Sequence, residues 1–249
     1  MQTETEAIVL KQTKIAGGRR MLVLFTKQWG KISAGTSQSE RGKGKAALAL
    51  RPFTLGRYQV NRSAGSYHIN GSETIASHYR IGEDVDKYIC ASYILEFTEK
   101  LLPEEAPSPA LYLLLSDFLD RMEKRQGKYE TLVAAYLVKA LRHAGSEPRL
   151  DDCIDCGSGE DLSHFSIQDG GTVCGACAAS ADRKERLLYE VGFDIVNILR
   201  YLSEQPLAGV DKLALEDPVL DRLLPLLRGY YRYHVDIGTL KSEELMEVR

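Results

Sequence analysis

Two pairs of cysteines are the residues of this chain best suited to chemistry. Cys153-Ile-Asp-Cys156 is followed, after seventeen residues, by Cys174-Gly-Ala-Cys177. Each C-x-x-C pair forms a tight turn whose sulfurs converge, and two such knuckles at this separation match the four-thiolate zinc pattern. Thiolates prefer zinc to hard cations, and four of them close the coordination sphere. A closed site leaves no position for an activated water, so the role it predicts is structural. Four unmetallated thiols are the plainer alternative. A redox C-x-x-C would sit in a βαβ unit, a setting neither pair has. His164 has ligand chemistry too, but four sulfurs complete the tetrahedron, and it reads as a strand residue. Cys90, on an apolar helical stretch, reads as core.

The elements that must position these sulfurs are short. Gly157, Gly159, Gly170-Gly171 and Gly175 supply turns, and His164-Phe-Ser-Ile167 and Gly171-Thr-Val173 are the strands expected for a small ribbon. Asp151 and Asp152 precede the first knuckle and either tune it or do nothing. Other catalytic constellations are not found: the sequence holds no G-x-x-x-x-G-K-[ST], G-x-S-x-G or H-E-x-x-H. Gly42-Lys-Gly-Lys45 lacks the phosphate-loop spacing and reads as a flexible basic turn. Glu104-Glu105 and Glu243-Glu244 read as solvated surface, and the histidines (68, 78, 143, 164 and 234) are scattered. The chain does not read as an enzyme.

Charge gives the second chemical signal. Residues 1–80 hold thirteen Lys and Arg against four Glu, a net of about +9, whereas the remainder holds nineteen against thirty-one acids, about −12. A polyanion should prefer the basic head. The positive side chains fall mostly in or beside turns: Lys11, Lys14, Arg19, Arg20, Lys31, Arg41, Lys43, Lys45, Arg51, Arg57 and Arg62 are the candidate phosphate contacts, with Lys27 beside them. Phe25, Trp29, Phe53, Tyr58 and Tyr67 are interleaved with these cations. Cations neutralise phosphates and aromatic faces stack on bases, and Trp29, next to a turn, is the stacking candidate. The same composition also fits a small barrel with solvated lysines and core aromatics.

The head is β in pattern. Glu6–Lys11, Arg20–Thr26, Phe53–Val60 and, more weakly, Tyr67–Ile69 are short apolar runs separated by turn residues, which predicts a small barrel or sandwich. A five-stranded OB-type barrel would present cations and aromatics on one surface. Near Gly82 the period changes. Val85, Ile89, Tyr93, Phe97 and Leu101 predict one helix, ended by Pro103. Ser108 is placed to cap a second helix through Met122, and a third covers Tyr129–Ala144 with Gly145 at its end. Leu188–Leu202 and Leu220–His234 predict two more, with Pro225 expected to kink or interrupt the last. Lys241–Arg249 is expected to be frayed or loosely docked. The fold class is thus α+β: an N-terminal OB-type barrel (1–80), then an all-α domain (81–249) with a four-cysteine zinc module inserted at about 150–180.

At 249 residues, 44% hydrophobic and 27% charged, the composition is that of a soluble globular protein with two domains. No signal region opens the chain and no run is long and apolar enough for a bilayer, so the expectation is a cytoplasmic protein without a membrane partner.

With these residues in view, the chain resembles the RecO family of bacterial recombination mediators. Glu6-Ala-Ile-Val-Leu-Lys11 is similar to that family's first barrel strand, Leu24-Phe-Thr-Lys-Gln-Trp-Gly-Lys-Ile32 to its second and third strands with their turn, and Leu50-Arg-Pro-Phe-Thr54 to its entry into the later strands. The helical body, the paired cysteines, Tyr230-Tyr-Arg-Tyr-His234 and Leu240-Lys-Ser242 extend the likeness nearly end to end. It departs in two loops, Ile15-Ala-Gly-Gly-Arg19 and Thr36–Lys45.

The resemblance implies an OB-fold DNA-binding domain, a helical domain and a zinc module. It implies a non-enzymatic role in recombinational repair (the RecF pathway): binding single- and double-stranded DNA, annealing complementary strands, and loading recombinase onto single strands coated by single-stranded-DNA-binding protein. RecR and the acidic C-terminal tail of that coating protein are the implied partners, and a nucleoid-associated location follows. For the tail, Arg121, Lys124 and Arg125 near Phe118 are the candidate residues, although the same pattern fits a solvated helix face. The alternative from another class is a zinc-ribbon and OB scaffold binding RNA or the transcription machinery.

Overall fold

The barrel closes because its first strand is long and bent. In the computed structural model, which describes residues 2–15, 17, 19–38, 45–63, 65–180 and 187–247, strand β1 spans Gln2–Lys14. Its first half pairs antiparallel with β4 (Leu55–Ser63), from Gln2↔Asn61 to Ile8↔Leu55. Its second half pairs with β2 (Arg20–Thr26), and the register shifts between Val9 and Lys11. Such a bulge bends and twists a strand, letting one strand serve two sides of a barrel. Strand β3 (Gly30–Thr36) pairs with β2, and β5 (Ser66–Ala76) pairs antiparallel with β4 and briefly parallel with β3 at Ala34↔Tyr67. The order β1-β2-β3-β5-β4 is a closed barrel. Helix α1 (Lys45–Leu48) lies between β3 and β4, and the Tyr58 hydroxyl donates to the Ala49 carbonyl at 2.5 Å just beyond it. This is the architecture of an OB fold.

Ala7, Val9, Leu22, Leu24, Ile32, Ala34, Tyr58, Val60, Tyr67 and Ile69 fill the barrel. Ile8 and Leu10, which alternate with Ala7 and Val9, are buried as well. They lie on the side of β1 against which helix α2 (Val85–Leu101) packs, so the unbroken apolar run of this strand records burial on both faces.

The chain divides into two compact units, Met1–Arg125 with Leu240–Arg249, and Gln126–Thr239. In the first, α2 and α3 (Pro109–Lys124) accompany the barrel, and α9 (Lys241–Glu247) packs on α2. Val85 is not part of the buried stripe of α2: it is 75% exposed, being the first residue of the helix, just after Asp84, which accepts from the Lys87 N–H. Ser108 is the N-cap residue of α3, but its side chain makes no capping bond; Pro109, which has no N–H to satisfy, stands at N1. The C-terminal segment, expected to fray, is instead a docked helix. Glu96 accepts from the Lys241 and Ser242 N–H groups at 3.0 and 2.9 Å and from the Ser242 hydroxyl at 2.6 Å, while Leu240 and Met246 are buried.

In the second unit α4 (Tyr129–His143) is central, with every residue from Leu132 to Leu141 buried. It ends in a Schellman motif: Gly145 has φ 72°, and the Ser146 and Gly145 N–H groups donate to Leu141 and Arg142 carbonyls at 2.9 and 3.0 Å. Helices α6 (Gly192–Glu204), α7 (Leu207–Val210) and α8 (Asp217–His234) pack on it. Leu188 lies ahead of α6. Pro225 does not interrupt α8. It sits on the exposed face beside exposed Asp221, so the carbonyl that loses its helical donor can turn to water. A small sheet of β6 (His164–Ser166), β7 (Gly171–Val173) and β8 (Tyr189–Glu190) joins the cysteine segment, with α5 (Gly175–Ala178), which carries Cys177, between β7 and β8. Among the described residues, no helix is long and apolar enough to cross a membrane.

Candidate metal centre and nucleic-acid interface

The four cysteines converge. The sulfurs of Cys153, Cys156, Cys174 and Cys177 all lie within 4.8 Å of one another. The first knuckle is a turn closed by Gly157 N–H donating to the Cys153 carbonyl at 2.8 Å, with Gly157 at φ 75°. The second is a helix start: Cys174 is the N-cap of α5, and its sulfur accepts from the Cys177 N–H at 3.4 Å. Asp161 fixes this start, accepting from the Gly175 N–H at 3.1 Å through its carboxylate; a side chain at 175 would collide with that carboxylate. Burial opposes the Cys153 thiolate, but N–H donors from Cys174 and Cys156 and the neighbouring thiols outweigh it and hold its pKa down at about 7. Hydrogen bonds to the Cys174 and Cys156 sulfurs push Cys177 up to about 12. Four sulfurs converging within 4.8 Å are a donor set that a soft cation completes. The residues therefore fit a four-sulfur metal ion. Asp161 was not legible as part of this centre, since nothing in its spacing marks it.

The candidate DNA contacts fall into separate groups. Lys14 and Arg20 pair across the end of the β1–β2 hairpin, and Arg19 lies in its turn. The Arg20 guanidinium donates to the Gln38 carbonyl at 3.2 Å. Lys11 lies 3.3 Å from Glu99. Arg57 lies 3.5 Å from Glu4 and 3.8 Å from Glu6, its neighbours across the strand pair. Arg51 is exposed beyond α1. Among the described residues, Lys14, Arg19, Lys27 and Arg51 show no carboxylate partner. Arg41 and Lys43 lie outside the described residues, as does the Lys45 side chain.

Trp29 and Arg62 meet at the Tyr67 ring. Trp29 is half-buried and stacks on Tyr67, with centroids 6.2 Å apart and planes at 25°. The Arg62 guanidinium stands 5.2 Å from the centroid of the same Tyr67 ring and 3.0 Å from Glu105. Lys31 donates to the Glu99 carbonyl at 2.9 Å and lies 3.3 Å from Glu104. Burial and the Glu105 carboxylate raise the Tyr67 phenol. Glu104 and Glu105, expected to be plain solvated surface, are thus partners of barrel cations. Of the residues considered for a peptide tail, Arg121 is 2.8 Å from Asp117, Lys124 is exposed, and Phe118 is fully buried.

An OB-type barrel bearing exposed cations, a helical region and a converging four-thiol centre define a barrel-and-helix protein whose four cysteines could hold a metal ion. Known families match it along nearly its whole length. The family described as Recombination protein O N terminal matches residues 1–78, and Recombination protein O C terminal matches residues 82–244. The chain belongs to the RecO family. DNA repair protein RecO of Thermoanaerobacter sp. (strain X514) is 31% identical over 98% of this chain and 96% of its own length. The proteins of the same name from Alkaliphilus metalliredigens and Bacillus pumilus are 28% and 27% identical, over 98% and 99% of this chain and 98% and 94% of their own lengths.

Proposed function

We propose that this chain is a non-enzymatic DNA-binding mediator of recombinational repair; its relatives are named DNA repair proteins. The barrel of residues 1–80 is the DNA-binding domain, and residues 81–249 form the helical domain with its metal module. The observation that carries the reading is the set of barrel cations, Lys14, Arg19, Lys27 and Arg51, that face water with no carboxylate partner among the described residues. On a chain of net charge −3, Lys14 and Arg19, together at the end of the β1–β2 hairpin, offer a polyanion a local site, with Lys27 and Arg51 as separate contacts.

The mechanism is electrostatic. Cations on hairpin ends and loops neutralise phosphates, and screening two strands at once lets their bases pair. Pairing is downhill, so no nucleotide is consumed. Cys153, Cys156, Cys174 and Cys177 would hold zinc, which would staple the module without an open position for chemistry. RecR and the acidic tail of single-stranded-DNA-binding protein are the partners of this reading, with Arg121, Lys124 and Arg125 offered to the tail. Location at the nucleoid follows from DNA binding.

The test is annealing of complementary oligonucleotides coated with single-stranded-DNA-binding protein. The chain should accelerate duplex formation without ATP. A scaffold for RNA or the transcription machinery would bind but leave the annealing rate unchanged, and that result would defeat the reading.

A further inference from the structure

The loop between α2 and α3 is built in an unusual way for solvated surface. Leu102-Pro103-Glu104-Glu105-Ala106-Pro107-Ser108-Pro109 carries a proline at every second or fourth position, which fixes φ and lowers its freedom. Glu105 holds φ 53°, in the left-handed region. The loop's backbone joins the barrel: the Glu105 N–H donates to the Lys31 carbonyl at 2.9 Å, and Lys31 and Glu104 form a parallel bridge. Gly30 admits Ala106 so closely that any Cβ there would strike the Ala106 carbonyl. The backbone is anchored, yet the two carboxylates stand largely in water, with Glu104 63% and Glu105 44% exposed. They reach Lys31 at 3.3 Å and Arg62 at 3.0 Å, beside the Trp29–Tyr67–Arg62 stack.

We infer that Glu104 and Glu105 form an internal competitor for nucleic acid: they occupy Lys31 and Arg62 where a strand's phosphates would, and a strand gains those cations only by displacing them. A carboxylate and a phosphate oxygen ask the same geometry of a guanidinium. The Arg62–Glu105 pair is exposed on both sides, at 58% and 44%, and such a pair is worth little, so the device sets a threshold and does not bar the site; Lys31, 13% exposed and also bonded to the Glu99 carbonyl, is the less accessible cation. A polyanion also gains from counterion release, which a single carboxylate cannot match. Weak binders and short strands are filtered, whereas a long strand held elsewhere on the barrel displaces the carboxylates. The inference rests on the DNA-binding reading above, and adds that the barrel's affinity is held below what its cations allow.

The test uses the full chain and fluorescein-labelled oligothymidylate, titrated by anisotropy over a range of NaCl. E105Q and E104Q/E105Q keep side-chain size and hydrogen-bonding capacity, and the anchored backbone is untouched. E83Q makes the same charge change at an exposed position away from the stack. Tightening of about two- to fivefold per carboxylate removed is expected, with a salt dependence steeper by about one phosphate and little change for E83Q. Adding Arg62→Ala to E105Q should abolish the gain. Equal affinity for wild type and E104Q/E105Q, an equal gain from E83Q, or a gain that survives Arg62→Ala would each overturn the inference. A wild type that fails to bind while E104Q/E105Q binds supports it strongly. If neither binds, the DNA-binding reading falls and this inference with it.

Discussion

The sulfurs of Cys156 and Cys174, which belong to different knuckles, lie 3.8 Å apart. A tetrahedral ion with metal–sulfur bonds of about 2.3 Å places its ligands about 3.8 Å from one another. The folded chain thus holds sulfurs eighteen residues apart in sequence at the separation an ion requires.

Purified protein should therefore carry one tightly held zinc. Chelation, or Cys153→Ser with Cys174→Ser, should release it and cost the module most of its metal-binding free energy, on the order of 10 kcal/mol. Metal analysis by mass spectrometry and thermal melting check this together. Metal-free protein with an unchanged melt would contradict it.

Glu96 should make the C-terminal helix sensitive to acid. Burial works to raise its pKa, but donors from Ser242 and Lys241 and the charge of Lys11 outweigh this and leave it below the usual range. A depressed folded pKa means that the stabilisation is complete above the ordinary carboxylate value of about 4.3 and is lost as pH falls through the lower, folded value. Glu96→Ala should cost about 1–2 kcal/mol at neutral pH. The difference between wild type and Glu96→Gln, measured by denaturant melts, should shrink steadily below about pH 4. A gap that persists at low pH would show that the carboxylate charge does not hold α9.

Gly30 is predicted to be intolerant of any side chain. It combines φ 70° with the approach of the Ala106 carbonyl. Gly30→Ala should destabilise by on the order of 1–3 kcal/mol, seen as a lower denaturant midpoint with an unchanged slope. A wild-type midpoint would mean that the loop yields.

Local chemistry was legible in the sequence and long-range pairing was not. Strand β2 emerges with its observed ends, Arg20–Thr26, because its apolar run is bounded by turns. The cysteine centre was legible because a ligand set is written in spacing. Strand β3 was hidden from periodicity: Gly-Lys-Ile-Ser-Ala-Gly-Thr is too small and polar to stand out, and it entered only through family likeness. The second half of β5, Gly71-Ser-Glu-Thr-Ile-Ala, was hidden for the same reason. The partners of the barrel cations were hidden by distance, since Lys11 meets Glu99 across 88 residues and Arg62 meets Glu105 across 43. Docking of α9 likewise depends on Glu96, some 146 residues before Ser242.

The most direct measurement of the central claim is the salt dependence of oligothymidylate binding by wild type and by a Lys14→Glu/Arg19→Glu variant. Wild-type affinity should fall steeply with added NaCl, and the variant slope should be shallower by about 0.7 for each phosphate that the variant no longer neutralises. Binding that ignores salt, or a variant whose affinity and slope match wild type, would contradict a barrel that grips the sugar-phosphate backbone.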